Sequence, residues 1–182
     1  GNFAKDEVQL AELRRIHLHQ DDGLNEQVRK LWGSVTGGTP EEKLAVMRRF
    51  RNDLNAGQGD AGRGYVVFQK ACAVCHQLFG EGKELGPDLT HANRTDRDYL
   101  LASIVDPSAV IRKEHLSYNL ETKDDQFLSG IIVEQNASSV SLLNAANERS
   151  VVSQSRIASL RESTVSMMPE GLLQALTPDE LR

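Results

Sequence analysis

Apolar residues recur at helical spacing through the first third of the chain, with polar residues between them. Residues 3–54 are therefore predicted to be helical. Thr39 is predicted to cap one of these helices, with Pro40 in its first turn and Glu42 able to close a capping box. The buried stripe of that helix is expected to consist of Leu44, Met47, Phe50 and Leu54.

Two more helices are predicted in the middle of the chain. Asp60 is placed to cap a helix that carries Val67 and Phe68, and Asp96 lies in the segment that opens the next helix. The second of these helices is expected to stop at Asp106-Pro107. Residues 80–90, between the two helices, are rich in glycine and proline and are predicted to form a loop.

The hydrophobic period changes after residue 112. Short runs of β-forming residues alternate with polar, turn-like segments, which predicts an antiparallel meander of about four strands. Residues 156–160 can add a fifth short element. The predicted strands are residues 115–121, 126–134, 138–144 and 149–153.

After Ser163 the chain is predicted to be irregular until a last helix, with Thr177 as its cap and Pro178 in its first turn. Only one turn precedes Arg182, so we expect this helix to be truncated. No signal peptide opens the chain, which suggests a mature form or a fragment of a longer protein.

Composition narrows the classes of function. The net charge is −5 and the basic residues form no stripe, so nothing favours nucleic-acid binding. No run of 18 apolar residues exists, so no membrane span is expected. The sequence also contains no nucleophile elbow, phosphate loop or His-Glu-x-x-His motif.

The chemistry of the chain is concentrated in Cys72-Ala73-Val74-Cys75-His76, which holds its only two cysteines. Cys-x-x-Cys-His is the attachment sequence of c-type haem, in which each thiol forms a thioether with a haem vinyl group. A redox dithiol needs no following histidine and usually lies in a βαβ pattern, which is missing here. A zinc site needs four ligands, and no second ligand pair completes one.

His76 is predicted to be the first axial ligand of the iron. A ligating histidine usually donates its other ring N–H to an acceptor, and the carbonyl of Pro87 is the candidate, although an ordinary loop proline is the alternative. For the sixth ligand, Met168 is favoured because methionine generally fills apolar cores, so its place in a polar loop suggests a ligand role. Met47 is expected in the core and His115 in solvent. The open alternatives are Met167 and His91.

These motifs together resemble class I cytochromes c, in which they occur in this order: Gly64-x-x-x-Phe68, the haem motif, Gly86-Pro87-Asp88-Leu89, Asp106-Pro107 and Met168-Pro169. More narrowly, residues 57–182 resemble the haem-binding domain of Planctomycetes and Verrucomicrobia. The segments that carry this narrower resemblance are Gly86–Thr90, Ile104–Ile111, Leu128–Gly130 and Ser166–Leu172. The resemblance implies thioethers at Cys72 and Cys75, and axial His76 and Met168.

The resemblance also implies the domain organisation. We expect a mainly α fold: a cytochrome c-like helical haem domain of residues 57–111 and 163–182, preceded by a helical segment, 1–56. Residues 112–162 are expected to be an inserted β meander, because removing them brings the separation of His76 and Met168 to that of a small cytochrome. In the family, such domains end large secreted proteins.

The function implied is electron transfer by one haem c, serving a larger periplasmic oxidoreductase and exchanging electrons with redox donor and acceptor proteins. A haem-based sensor or interaction module is the first alternative. The second is a peroxidase, which needs an open iron position and an acid–base group above it; His91 or Arg94 could supply that group.

Overall fold

The computed structural model describes residues 10–17, 19, 21–36 and 38–182. Helices occupy both ends of the described chain and its centre. The α-helices are α1 Leu10–His17, α2 Asp22–Trp32, α3 Glu41–Asn55, α4 Ala61–Ala71, α5 Arg97–Val105 and α6 Pro178–Leu181. Short 3₁₀ turns lie at Lys113–His115, Gln154–Arg156 and Leu172–Ala175.

Strands form three antiparallel sheets in the described chain. Two of the sheets are pairs, β1 with β4 and β2 with β3, and the third has five strands in the order β8-β7-β6-β5-β9. The strands are β1 Gly33–Val35, β2 Gln77–Leu78, β3 Glu81–Gly82, β4 Val110–Arg112, β5 Ser117–Thr122, β6 Phe127–Gln135, β7 Ser139–Leu143, β8 Arg149–Ser153 and β9 Ile157–Glu162.

The expectation of a mainly α fold is wrong. The protein is mixed α and β, with 39% helix and 25% strand. The five-stranded sheet contributes most of the strand residues, and its last strand, β9, is a full strand paired along β5. The pairs β1–β4 and β2–β3 add strands inside regions predicted to be helix or loop.

Most of the predicted helix starts are present. The side chains of Asp60, Asp96 and Thr177 each accept a backbone N–H in the first turn of α4, α5 and α6, and Thr177 forms a full capping box with Glu180. The prediction for Thr39 is wrong. Pro40 holds the cap position of α3, where its carbonyl accepts the Leu44 N–H, so Thr39 lies one residue too early to cap.

The helical core lies between α3, α5 and the turn at 172–175. Phe50, Leu101, Val105 and Leu173 are buried together, and Met47 packs against them. The prediction that Met47 belongs to the core is therefore confirmed. Since α3 precedes the haem motif in the chain, this core joins residues from before and after that motif.

The five-stranded sheet curls upon itself. Strands β8 and β9 lie at opposite edges but are joined by only three residues, Gln154–Arg156. A flat sheet would place these edges about 19 Å apart, farther than so short a connection reaches. Curling encloses a second core of Leu120, Val140, Leu142 and Val152, all nearly inaccessible to solvent.

The N-terminal region is attached to the rest of the chain through backbone pairing as well as packing. Gly33 faces Arg112 in the β1–β4 ladder, and a Cβ at Gly33 would lie 2.1 Å from the carbonyl oxygen of Ile111. In the described residues no helix is long and apolar enough to cross a membrane.

Candidate functional site

The two cysteines lie at the end of α4, on one side of a continuing helical turn. The Cys72 N–H donates to Phe68 O at 2.8 Å, and the Cys75 and His76 N–H groups donate to Cys72 O at 3.0 and 2.9 Å. Residues three apart on such a turn project in similar directions. Both thiols are free of a disulfide, so both are available to one ligand.

Burial raises the pKa of both thiols above the ordinary cysteine value. For Cys72 the proximity of Cys75 adds to this effect, whereas for Cys75 the Lys83 ammonium opposes it. A raised pKa disfavours the thiolate that a redox-active dithiol uses. Within the described residues, no cluster of three or more His, Cys, Asp or Glu side chains is arranged to hold a metal ion.

The imidazole of His76 is held by the loop that follows the motif. Its Nδ1 lies 2.8 Å from Pro87 O, the acceptor proposed from the sequence. If Nδ1 carries the proton and donates it, Nε2 keeps a lone pair for a metal. The loop closes around the motif through the Gly86 N–H, which donates to Cys75 O at 2.7 Å, and the Leu89 N–H, which donates to Gln77 O at 2.8 Å.

Two glycines allow this loop to approach His76. A Cβ on Gly86 would lie 2.6 to 3.0 Å from three atoms of the imidazole ring, and a Cβ on Gly82 would lie 2.1 Å from His76 O. Gly82 also has φ +101°, which side chains rarely adopt. From the sequence, these glycines are predicted only to form a loop. The sequence signal for them is that they lie within ten residues of His76, which does not show which atoms each glycine faces.

The hairpin β2–β3 is fixed to α4 through a carboxylate. Glu81, on β3, accepts hydrogen bonds from the Tyr65 hydroxyl and, at 2.9 Å, from Gln69 Nε2. The hydrogen bond to Glu81 is the main reason that the pKa of Tyr65 is raised, and Gln69 opposes this shift. The hairpin, the haem motif and α4 therefore form one connected unit.

Helix α4 carries apolar side chains that the protein itself does not bury. Tyr65 and Val66 are 49% and 48% exposed, and no residue of the helix is buried. An apolar group covalently held at Cys72 and Cys75 would lie beside this helix and could cover part of it. The donor set and this apolar helix therefore fit a haem.

The segment that holds Met168 is hydrogen-bonded to residues 108 and 117. The Met168 N–H donates to Ser166 Oγ at 3.1 Å, and the Ser166 N–H donates to Ser108 Oγ at 3.0 Å. Ser117 Oγ donates to Val165 O at 3.1 Å. The structure therefore brings Cys72, Cys75, His76 and Pro87 together, while Met168 is held against residues that follow α5.

A lysine from α3 reaches the same region. Lys43 Nζ lies 2.8 Å from Asp106 Oδ1 and 2.6 Å from Glu170 Oε1. Asp106 is 5% exposed, and hydrogen bonds to Asp106 and Glu170 raise the pKa of Lys43. Asp106-Pro107 is predicted from the sequence as a helix stop and a family motif, but no local signal pairs Asp106 or Glu170 with the distant Lys43.

The remaining histidines differ from one another in environment. His91 is exposed in a turn, and His19 is exposed as predicted, whereas the side chain of His17 lies outside the described residues. The prediction that His115 opens a strand and faces solvent is wrong. It ends a 3₁₀ turn and is partly buried, and this burial lowers its pKa, with a smaller lowering by the nearby His76.

Comparison with known families gives a match in the middle of the chain. Residues 61–129 match the family described as Cytochrome c, and a comparison with curated proteins finds no match. The matched segment includes Cys72, Cys75, His76 and Pro87 but ends before Met168. The match supports a class I cytochrome c domain and haem-based electron transfer. The cofactor of such a domain is covalently bound haem c with iron.

Proposed function

We propose that this chain transfers single electrons through one haem c that is attached to Cys72 and Cys75 and ligated by His76 and Met168. The observation that carries the proposal is the hydrogen-bond geometry of His76, whose Nδ1 faces Pro87 O at 2.8 Å just after two free thiols. Haem iron supplies the chemistry, a one-electron change between the ferric and ferrous states.

The protein residues position and tune that chemistry. Thioethers at Cys72 and Cys75 would fix the haem beside α4, and the Pro87 carbonyl would set the ring orientation of His76 and raise its basicity. A sulfur ligand from Met168 would fill the opposite axial position and raise the reduction potential. With both positions filled, electron transfer requires little rearrangement of the protein.

Methionine ligation is supported by how the competing side chains are placed. Met47 packs in the helical core, and His91 is exposed in a turn. Met168 lies in a segment tied down by Ser108 and Ser117, and its own side chain is only partly buried. A fixed backbone with an accessible thioether suits an axial ligand.

We further propose that the chain is the haem-binding domain type named in the resemblance, and that it serves a larger extracytoplasmic oxidoreductase in the periplasm. Its redox partners would be a donor and an acceptor protein, or an upstream dehydrogenase domain. The cytochrome c match supports a location outside the cytoplasm, because domains of this family are typically found there.

The test of the proposed function is an absorption spectrum in both oxidation states, taken after maturation in a host with cytochrome assembly. We expect one haem per chain that stays attached under denaturing conditions, with a far-red sulfur-to-iron band in the ferric protein. The control variant, Cys72→Ser with Cys75→Ser, should lose covalent haem. A colourless wild-type protein with both thiols free would contradict the proposal.

The division into a segment 1–56, a haem domain of 57–111 and 163–182, and an insertion 112–162 can also be tested. The insertion is supported by the closeness of its two ends, since the N–H of Ser163, just after it, donates at 2.8 Å to the carbonyl of Ser117, near its start. Excising residues 118–162 and joining Ser117 to Ser163 by a short linker should leave haem incorporation intact. The excision removes the bond from Asn147 Nδ2 to Val74 O, so failure to incorporate haem would place the sheet in the haem domain.

A further inference from the structure

The ion cluster around Lys43 links three distant parts of the chain. Lys43 lies on α3, Asp106 follows α5, and Glu170 lies two residues after Met168. The Lys43 side chain is 19% exposed, the Asp106 side chain 5% and the Glu170 side chain 53%. Asp106, the buried partner, therefore holds the Lys43 ammonium in place, and Glu170, the exposed partner, is the one that can be released.

We propose that Lys43 is a positioning residue for axial ligation, holding the Met168 segment closed through Glu170 while Asp106 holds the ammonium in place. This inference rests on the proposed function, because it requires Met168 to ligate the iron.

The burial of Asp106 gives the contact its rigidity. Separating a buried carboxylate from its cation is costly, so the Lys43–Asp106 pair should persist when the exposed Lys43–Glu170 contact breaks. Glu170 is separated from Met168 only by Pro169, whose ring restricts the backbone between them. Movement of Met168 away from iron is therefore expected to pull on the Lys43–Glu170 contact.

The consequence reaches upstream of the haem motif. Lys43 belongs to residues 1–56, which the sequence assigned to a separate helical segment. If Lys43 on α3 holds the Met168 segment in place, a partner that binds or moves α3 will change the fraction of molecules in which Met168 is released.

The equilibrium can be measured with imidazole, which competes with a protein ligand for ferric iron. Its apparent affinity rises with the fraction of molecules in which the protein ligand is released. In the haem-loaded full chain, we expect Lys43→Met to raise imidazole affinity at least tenfold, and Glu170→Gln about threefold because that carboxylate is exposed. The double variant should match Lys43→Met within about twofold, since Lys43→Met already removes the Lys43–Glu170 contact that Glu170→Gln weakens.

Two controls separate positioning from general destabilisation. Arg48→Met, on the same helix, breaks the exposed pair with Glu41 and should leave imidazole affinity unchanged. Lys43→Arg keeps the charge and should restore affinity to within threefold of wild type. No denaturant is present, so in a variant that stays folded the imidazole affinity reports release of the protein ligand rather than global unfolding.

The outcomes distinguish this inference from the ligand assignment. Wild-type affinity in Lys43→Met, alongside a large increase in Met168→Ala, would overturn the positioning role alone. An increase in Arg48→Met as large as that in Lys43→Met, or an equal increase in Lys43→Arg, would also overturn it. No increase in Met168→Ala would overturn the ligand assignment and the positioning role together.

Discussion

Replacing Met168 by alanine is expected to abolish the far-red sulfur-to-iron band of the ferric protein and to lower its reduction potential by on the order of 0.1 V or more. A thioether ligand favours ferrous iron, so its loss stabilises the ferric state. The haem should stay attached, since Cys72 and Cys75 are untouched. Visible absorption and a redox titration measure the two effects.

Met167 provides a matched control for this substitution. It is the same residue type, one position earlier, and is also partly buried. Met167→Ala should leave the band and the potential near their wild-type values. If Met167→Ala removes the band and Met168→Ala does not, the assignment is off by one residue. If neither changes the band, methionine at these positions is not the ligand.

The parts of the fold that follow local rules could be predicted from the sequence. Asp60 and Thr177 are predicted as helix caps, and Asp96 lies in a segment predicted to open a helix, because helix starts depend on a few neighbouring residues. The strands after residue 116 were also located to within about two residues, since alternation and turn residues are local signals. The prediction for Thr39 is wrong because α3 begins one residue later, with Pro40 at the cap position.

The parts that depend on distant pairing could not be predicted. Nothing in Gly33-Ser34-Val35 indicates that it pairs with residues 110–112, so the segment was assigned to a helix. Likewise β9 pairs with β5 because the sheet curls, and a linear pattern carries no information on curvature. This non-local pairing is why the predicted fold class was wrong although most elements were correct.

In the candidate site, too, the contacts that are close in sequence were predictable and those between distant positions were not. The haem motif and Pro87 lie within sixteen residues, so the usual hydrogen bond of a metal-ligating histidine suggests Pro87 O as the acceptor for His76. The cluster of Lys43, Asp106 and Glu170 joins positions spread over most of the chain. The steric role of Gly86 required coordinates, because the sequence does not tell which atoms face a missing side chain.

Replacing Gly86 by alanine should press a methyl group directly against the imidazole ring of His76. The new Cβ would lie 2.6 Å from Cε1 and 2.8 Å from Nδ1 of the ring, so the ring must retreat by roughly 0.8 Å to reach an ordinary 3.4 Å contact. Such overpacking typically costs about 1–3 kcal/mol of stability. Retreat would also lengthen the 2.8 Å contact with Pro87 O.

The expected result for Gly86→Ala is a protein with haem still covalently attached but with a ferric high-spin component, because His76 no longer meets iron in its native orientation. Electron paramagnetic resonance would detect that component, and thermal unfolding would report the loss of stability. Gly38→Ala is the matched control, since a Cβ there meets no atom within 4 Å. A wholly low-spin Gly86→Ala protein with wild-type stability would mean that the loop, rather than the imidazole, moves to make room, and that Pro87 does not fix the ring.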